Sequence, residues 1–217
     1  MKLGQRTLQI LKNFSGINPS LYFKEGNGLA TISPSKSIVA YATTSETIPS
    51  SFGVYDVSKF ISILSSFTDP EIDIQDKFCL ITEGNQRVKY HFADVTMIKT
   101  PPENKIKFPA PDVEFDLPNE TYASVMKVLG ILSLPEIAFI GDGKKVVVAA
   151  IDSRGAINDT FSVDVGETDK IFKGIFKQEN LKILPDNYKV SISGKGIARF
   201  TSADIEYYVS MESTSEF

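Results

Sequence analysis

Hydrophobic residues near the start of the chain recur at helical spacing. Between residues 5 and 14, positions 7, 8, 10, 11 and 14 are apolar or, at Thr7, neutral, which is the spacing of a helix with one buried face. Lys2, Gln5, Gln9 and Lys12 fall on the opposite side. The pattern returns in the second half, where positions 122, 125, 126 and 129 are apolar and Asn119 stands where a helix cap is expected. Two similar amphipathic helices are therefore predicted.

The strand pattern that follows each helix is also repeated. An apolar strand broken by a glycine-containing turn comes first, at residues 21–33 and 137–151, with Phe23 and Phe139 in matching places. Each half then has a second strand, a segment ending in FGVY or KGIF, and a short predicted helix, DVSKFISIL or KQENLKIL. Both halves close with alternating, turn-rich segments typical of antiparallel hairpins. The chain reads as one unit written twice.

The repeat divides the chain into two domains and a connector. The predicted domains are residues 1–97 and 118–217, and residues 98–117 between them belong to a stretch with five prolines from Pro101 to Pro118. Proline fixes φ and removes a backbone donor, so such a stretch is typical of an extended connector. The fold class predicted from these patterns is α+β, with antiparallel sheets and two helices packed on one face of each unit.

Composition narrows the chemistry that the chain can support. One histidine, His91, and one cysteine, Cys79, cannot build the usual zinc sites or a catalytic dyad, and phosphate-loop and nucleophile-elbow motifs are missing. We therefore predict no enzyme activity, no metal and no cofactor, and a buried structural thiol at Cys79. No apolar run approaches the roughly 20 residues of a membrane span, and the N-terminus is not built like a signal peptide, so the cytoplasm is the default compartment.

Charge is distributed unevenly along the chain. The net charge of −4 argues against a surface that attracts nucleic acid everywhere. The predicted helices and their ends nevertheless carry cations, whereas Glu46, Asp69, Glu71 and Asp73 follow with few compensating cations nearby. Surface helices ordinarily carry lysines for solubility, so these cations do not by themselves indicate DNA binding.

Several segments of the chain resemble one known family, the sliding clamps of T-even-type bacteriophages. The matching segments are MKL at 1–3, LKNF at 11–14 with IN at 17–18, VYDVSKFISILS at 54–65, LPDNYKV at 184–190 and YYVSMESTSEF at 207–217. They span nearly the whole chain and occur in the family's order. The segment from about residue 71 to 116 departs most from the family.

The resemblance implies a DNA clamp fold of two similar domains that assembles as a homotrimer into a closed ring around duplex DNA. Helices would line the hole, and contacts to the DNA backbone would be few, independent of sequence and sensitive to salt. The implied DNA-facing residues are Lys2, Arg6, Lys12, Lys59, Lys127, Lys177 and Lys182.

By the same resemblance, edge strands pair between subunits and a pocket near the connector holds the tails of partner proteins. The residues implied at the subunit interface are Arg87, Tyr90 and Phe92 on one chain with Phe161 and Val163 on the next. Those implied around the pocket are Ile98, Leu184, Pro185, Tyr208 and Met211. Aromatic and methionine residues in such places are more often core, and either strand could instead be internal or shielded.

The partners that the resemblance implies are the phage DNA polymerase, for which the clamp is a processivity factor, a clamp loader and late-transcription factors. They would act in the cytoplasm of the infected bacterial host. Two other functions fit the residues alone. One is a duplicated structural or adaptor protein of a phage particle that never encircles DNA, and the other is an enzyme whose site forms between chains.

Overall fold

A computed structural model describes residues 1–155 and 159–217 and divides the chain into two compact units, Met1–Glu103 and Asn104–Phe217. The first unit contains α1 (Gln5–Ile17), β1 (Leu21–Phe23), β2 (Gly26–Ile32), β3 (Ile38–Ile48), β4 (Phe52–Val54), α2 (Val57–Leu64), β5 (Glu71–Ile74), β6 (Phe78–Glu83) and β7 (Gln86–His91). A single 3₁₀ turn, Val95–Met97, follows β7.

The second unit contains β8 (Val113–Leu117), α3 (Asn119–Leu132), β9 (Glu136–Asp142), β10 (Lys145–Ile151), β11 (Phe161–Glu167), β12 (Ile171–Lys177), β13 (Tyr188–Ser193), β14 (Ile197–Thr201) and β15 (Ile205–Ser210). A 3₁₀ turn, Gln178–Asn180, lies between β12 and β13. Every strand pair within these units is antiparallel, which confirms the α+β class with antiparallel sheets.

Strand pairing repeats between the units in the order that the sequence predicts. β1 pairs with β4 as β9 pairs with β12, and β2 pairs with β3 as β10 pairs with β11. β5, β6 and β7 form a meander, as do β13, β14 and β15. Met1 exchanges backbone hydrogen bonds with Ile72 on β5, which is the place that β8 takes beside β13. The internal duplication is therefore present in three dimensions.

The two long helices bury most of the stripes that their periodicity predicts, with Leu8 and Met126 half-buried. On α1 the buried residues are Thr7, Ile10, Leu11, Phe14 and Ile17, and on α3 they are Tyr122, Val125 and Leu129. Helix α1 packs against α2 and β3, and α3 packs against β10 and β11. Burial of each apolar face leaves the opposite face of the helix in water.

Phe23 and Phe139, which the repeat aligns, each lie at the centre of an aromatic cluster. The Phe23 ring is 4.6 Å from Phe52 and 6.1 Å from Phe60 on α2. The Phe139 ring is 5.5 Å from Phe176 and 6.0 Å from Phe200. Matching positions of the two halves thus fill matching places in the two cores, where offset and edge-on ring pairs are favourable.

The predicted helix at KQENLKIL is wrong. Its place is taken by the 3₁₀ turn, closed by a hydrogen bond from the Leu181 N–H to the Gln178 carbonyl, and the described residues contain three α-helices in all. Leu181 and Ile183 are buried while Lys182 between them is exposed, so the segment alternates like a strand. Pro185 also disfavours helical backbone at the residue before it.

Asn119 does not cap α3. It is the first residue of the helix, Pro118 occupies the cap position, and no side chain there satisfies the first turn. Instead the Asn119 N–H donates to Oδ1 of Asn187, at 2.9 Å. The capping oxygen comes from a residue far along the chain, which local sequence does not indicate.

The predicted connector contains structure at both ends. Ile98 at its start is buried, and its last five residues form β8, which pairs with β13. The structure divides the chain after Glu103. The domain limits 1–97 and 118–217 remain a prediction. No described helix is long and apolar enough to cross a membrane. Cys79 is fully buried, as predicted, and burial raises the pKa of its thiol to about 11.

Candidate nucleic-acid interface

The polar faces of the helices are mostly cationic. Helices α1 and α2 contain no acidic residue, and Arg6, Lys12 and Lys59 are their charged side chains. Helix α3 adds Lys127, with Glu120 in its first turn. Helix charge is therefore positive although the whole chain has a net charge of −4.

Three of these cations are exposed and form no ion pair within the described residues. Lys12, Lys59 and Lys127 are exposed, and none of them forms an ion pair with any residue in the described part of the chain. Arg6 on α1 is half-buried. An exposed ammonium group with no counter-charge keeps its donors available for a phosphate oxygen.

Lys2, Lys177 and Lys182 lie in different surroundings. Lys2 forms an ion pair with Asp69, and the hydrogen bond that Lys2 donates to this carboxylate raises the pKa of the lysine. Lys177 ends β12 and lies 3.3 Å from Glu212, and Lys182 is exposed on the irregular segment after the 3₁₀ turn. Neither of these two stands on a helix, so the prediction of helix-borne charge fails for them.

Glu46, a residue that sequence reasoning missed, binds the start of α1. Its carboxylate accepts hydrogen bonds from the Gly4 N–H and the Thr7 hydroxyl, each at 2.6 Å. Burial is the largest single influence and opposes ionisation, but several hydrogen bonds, led by those from Thr7 and Gly4, together hold the pKa of Glu46 below its usual value. Glu46 lies on β3, and no local pattern around α1 could have indicated it.

Two sheet edges carry the predicted subunit-interface residues. β7 is the last strand of the β5–β6–β7 sheet, and β11 is the last strand of the β11–β10–β9–β12 sheet. The opposite edges are covered by the chain itself, β5 by Met1 and β12 by Glu216. Within the described residues, β7 and β11 each pair with a strand on one side only.

The side chains on these edges differ in how they pack. Arg87 is exposed on β7, whereas the Tyr90 ring lies 5.1 Å from Phe60 and Phe92 stacks on Phe52 at 4.5 Å. The last two aromatics therefore belong partly to the core of their own unit. Phe161 and Val163 on β11 are half-buried and alternate with exposed residues.

The predicted pocket residues lie on several elements of the two units. The Leu184 N–H donates to the Tyr207 hydroxyl at 3.1 Å, and Pro185 beside it is exposed. Tyr208 follows Tyr207 on β15, and neighbouring residues of a strand point to opposite faces. Met211 lies against Gly174 on β12. Ile98 belongs to the first unit.

The face of the second unit's sheet that carries Tyr208 holds part of the connector. The Phe108 ring lies 6.1 Å from the ring of Tyr208, and the Arg199 guanidinium lies 4.8 Å from the Phe108 centroid. The Tyr208 hydroxyl donates to Glu206 at 2.8 Å, and Lys105 lies 3.5 Å from the same carboxylate. Burial, with Glu206 next, raises the pKa of Tyr208 to about 12. Aromatic and charged contacts thus attach residues 105–108 to this face.

Family comparisons cover almost the whole chain. Residues 2–92 match the family described as DNA polymerase processivity factor, and residues 114–213 match the family described as gp45 sliding clamp, C terminal. The sliding clamp of Vibrio phage KVP40 is 34% identical over 98% of this chain and 99% of its own length. The sliding clamp of Escherichia phage RB69 is 29% identical over 99% and 98%.

Solved structures share the fold at low sequence identity. PCNA of A. fulgidus, solved with the C-terminal region of FEN-1 bound, aligns over 100% of both chains with a TM-score of 0.73 and 14% identity. The DNA polymerase III beta subunit of Pseudomonas aeruginosa aligns over 98% of this chain and 64% of its own, with a TM-score of 0.69 and 12% identity.

Proposed function

The chain belongs to the phage sliding-clamp family of DNA polymerase processivity factors, and we propose that three copies close into a ring that encircles duplex DNA. One observation carries the DNA-facing part of the proposal. Lys12, Lys59 and Lys127 stand exposed on three different helices without ion-pair partners in the described part of the chain. Such charges attract phosphate oxygens without reading bases.

The charge distribution supports sliding rather than tight binding. A few exposed lysines on an otherwise acidic chain give weak contacts that depend on salt, and topological linkage then keeps the ring on DNA. Lys2, Arg6, Lys177 and Lys182 remain in the proposed set. The ion pairs of Lys2 and Lys177 reduce their expected share of the contacts.

The sheet edges support closure through β7 of one subunit and β11 of the next. An edge strand presents unpaired backbone N–H and C=O groups, which proteins either cover with another segment or pair with another strand. Because the chain covers β5 and β12 with its own ends, β7 and β11 remain for pairing between subunits. Arg87, Tyr90, Phe92, Phe161 and Val163 are the residues proposed there.

The proposed partners are the phage DNA polymerase, a clamp loader and late-transcription factors, in the cytoplasm of the infected host. The PCNA relative was solved with a C-terminal region of another protein bound, which supports capture of a partner's tail by this chain. Ile98, Leu184, Pro185, Tyr208 and Met211 are the residues proposed for that capture. Sliding clamps and processivity factors are non-catalytic families, and we propose that this chain performs no catalytic step.

The test of encirclement compares retention on circular and linear DNA. The protein is loaded onto nicked circular DNA with its loader, and the retained fraction is measured at increasing salt before and after linearisation. We expect retention on circles and loss from linear ends. The triple variant K12Q/K59Q/K127Q should lower the salt dependence of direct DNA binding by about one unit of slope for each phosphate that the variant no longer neutralises.

The matched control is K24Q/K144Q/K195Q, which removes three exposed lysines from turns and loops. This control should keep the salt dependence of the parent protein. Equal retention on circular and linear DNA would refute encirclement. Equal salt slopes for the two triple variants would refute the assignment of the helix lysines.

A further inference from the structure

The last six residues of the chain run along the outer edge of β12. The Glu212 N–H donates to the Ile175 carbonyl at 2.8 Å, and Lys173 and Glu216 exchange two backbone hydrogen bonds at 2.8 and 2.9 Å. The Ile175 N–H donates to the Ser215 hydroxyl at 3.0 Å. Residues 212–217 therefore cover this edge of β12, with one antiparallel bridge at Glu216 and a turn at residues 212–215.

Side chains of this segment complement the surface below them. Glu212 lies 3.3 Å from Lys177. The Phe217 ring stacks on Phe172, with centroids 5.7 Å apart and planes 23° apart. Gly194 makes room for it, because a Cβ at that position would lie 3.2 Å from the Cβ and Cγ of Phe217. The site thus selects an acidic residue at one end and an aromatic ring at the other.

The segment is held more weakly than the strand on the other side of β12. β9 pairs with β12 in continuous register from Ile171 to Lys177, whereas the tail makes one bridge, at Lys173 and Glu216. The Glu212–Ser215 turn interrupts the ladder, and Phe217 remains 50% exposed. A short, interrupted ladder with an exposed anchor opens at low free-energy cost.

We propose that the outer edge of β12 is a strand-acceptor site which the chain's own residues 212–217 cover, and which takes an extended acidic peptide with an aromatic residue from a partner protein. Backbone hydrogen bonds from Lys173 and Ile175 provide the strand addition. Lys177 receives the acidic side chain, and Phe172 with Gly194 receives the ring. The occupant is of this class because the tail already seated there, with Glu212, Glu216 and Phe217, has that composition.

This site is independent of DNA encirclement, and of the proposed tail-capture residues it adjoins Met211, which contacts Gly174 on the same strand. It lies at the edge of β12, whereas Leu184 is bonded to Tyr207. The test uses the protein alone, so its failure and a failure of the ring proposal are separate results. The probe is a synthetic peptide of residues 212–217, Glu-Ser-Thr-Ser-Glu-Phe, at millimolar concentration.

Amide hydrogen exchange is measured on the intact chain and on a chain that ends at Met211. We expect truncation to accelerate exchange at Lys173 and Ile175 at least about tenfold, and the peptide to restore protection in trans. The amides of Phe172 and Gly174, which alternate toward β9, serve as internal controls and should not change. A peptide with its phenylalanine replaced by alanine should restore less protection.

The variant Phe217→Ala keeps the whole chain and guards against misfolding of the truncated one. In this variant the amides of Lys173 and Ile175 should exchange faster than in the parent, and the added peptide should slow their exchange again. In the parent the peptide should not change the exchange of these amides. Unchanged exchange at both amides in both variants would overturn the idea of a removable cover. Faster exchange that no peptide slows would overturn the acceptor site.

Discussion

At the residue scale, Glu46 illustrates a stabilising contact made across a long stretch of sequence. Gly4 precedes α1 and offers no side chain to cap it, so the first N–H groups of the helix need an acceptor from elsewhere. The Glu46 carboxylate accepts a hydrogen bond from one of these groups, the Gly4 N–H, together with one from the Thr7 hydroxyl, and its charge opposes the positive end of the helix dipole. The start of a helix proposed to face DNA is thereby fixed by an acidic residue.

Replacing Glu46 by glutamine should lower the free energy of unfolding by about 1–2 kcal/mol at pH 7, because an amide cannot accept both hydrogen bonds. The folded protein lowers the pKa of Glu46, so this stabilisation is complete above the unfolded value of about 4.3 and is lost as pH falls through the folded pKa. Urea denaturation at pH 7 and near pH 3 measures both. The difference in the free energy of unfolding between the parent and Glu46→Gln should be smaller near pH 3 than at pH 7. The control Glu103→Gln should leave the free energy of unfolding unchanged.

Tyr122 makes a second long-range contact at this scale. Its hydroxyl donates to the Leu181 carbonyl at 2.8 Å, and its side chain is buried. Tyr122→Phe leaves that carbonyl without its partner and should cost about 1–2 kcal/mol in chemical denaturation. Tyr55→Phe is the control, because Tyr55 is 59% exposed. Equal losses for both variants would contradict the role of the buried bond.

At the element scale, the connector is a partly attached segment rather than a free linker. Phe108 contacts both the Tyr208 ring and the Arg199 guanidinium, and Lys105 lies near Glu206. Each of these contacts is worth at most about 1 kcal/mol at a partly exposed site. Together they hold residues 105–108 against the sheet while leaving the segment able to open.

Phe108→Ala should increase the rate of tryptic cleavage after Lys105 and Lys107 about threefold to tenfold, since the ring anchors the segment. Timed digestion followed by mass spectrometry gives the two rates. The matched control is Phe78→Ala, which removes a similar contact with Lys89 at 3.9 Å on the β6–β7 hairpin. That control should leave cleavage at Lys105 and Lys107 unchanged, and equal rates in all three proteins would argue against the anchor.

At the scale of the whole molecule, assembly depends on which sheet edges remain open. The β5–β6–β7 and β11–β10–β9–β12 sheets have four edge strands between them, and the chain covers β5 and β12 with its own terminal residues. The proposed ring uses the remaining pair, β7 and β11. Covering one edge of each sheet restricts pairing to a single head-to-tail geometry, and such an interface gives a ring when its rotation closes after a whole number of subunits.

Phe161→Asp should shift the purified protein from a mass near three times 23.9 kDa toward the monomer in light scattering, because a carboxylate in the closed interface loses its hydration. Ile171→Asp is the control, placed on β12 at the opposite edge of the same sheet, where its side chain is 78% exposed. The two variants are compared with the parent over a dilution series to micromolar concentration. A trimer that survives Phe161→Asp unchanged would place the interface elsewhere.

The sequence by itself determined the features that short-range periodicity records. Helical spacing in α1 and α3, and alternation in the hairpin strands, predict which faces are buried. The same order of elements occurs twice along the chain, and this repeat predicts a duplicated fold. Phe23 and Phe139 could be aligned for this reason, and each proved central to its core.

Tertiary structure alone decided the contacts made between distant residues. KQENLKIL became a 3₁₀ turn because burial of Leu181 and Ile183 against the core outweighs the preference of so short a segment for helix. Glu46, Asn187 and the tail over β12 act on elements far away in sequence. A pattern of hydrophobic and polar positions shows that a group needs a partner, but only the folded chain determines which residue provides it.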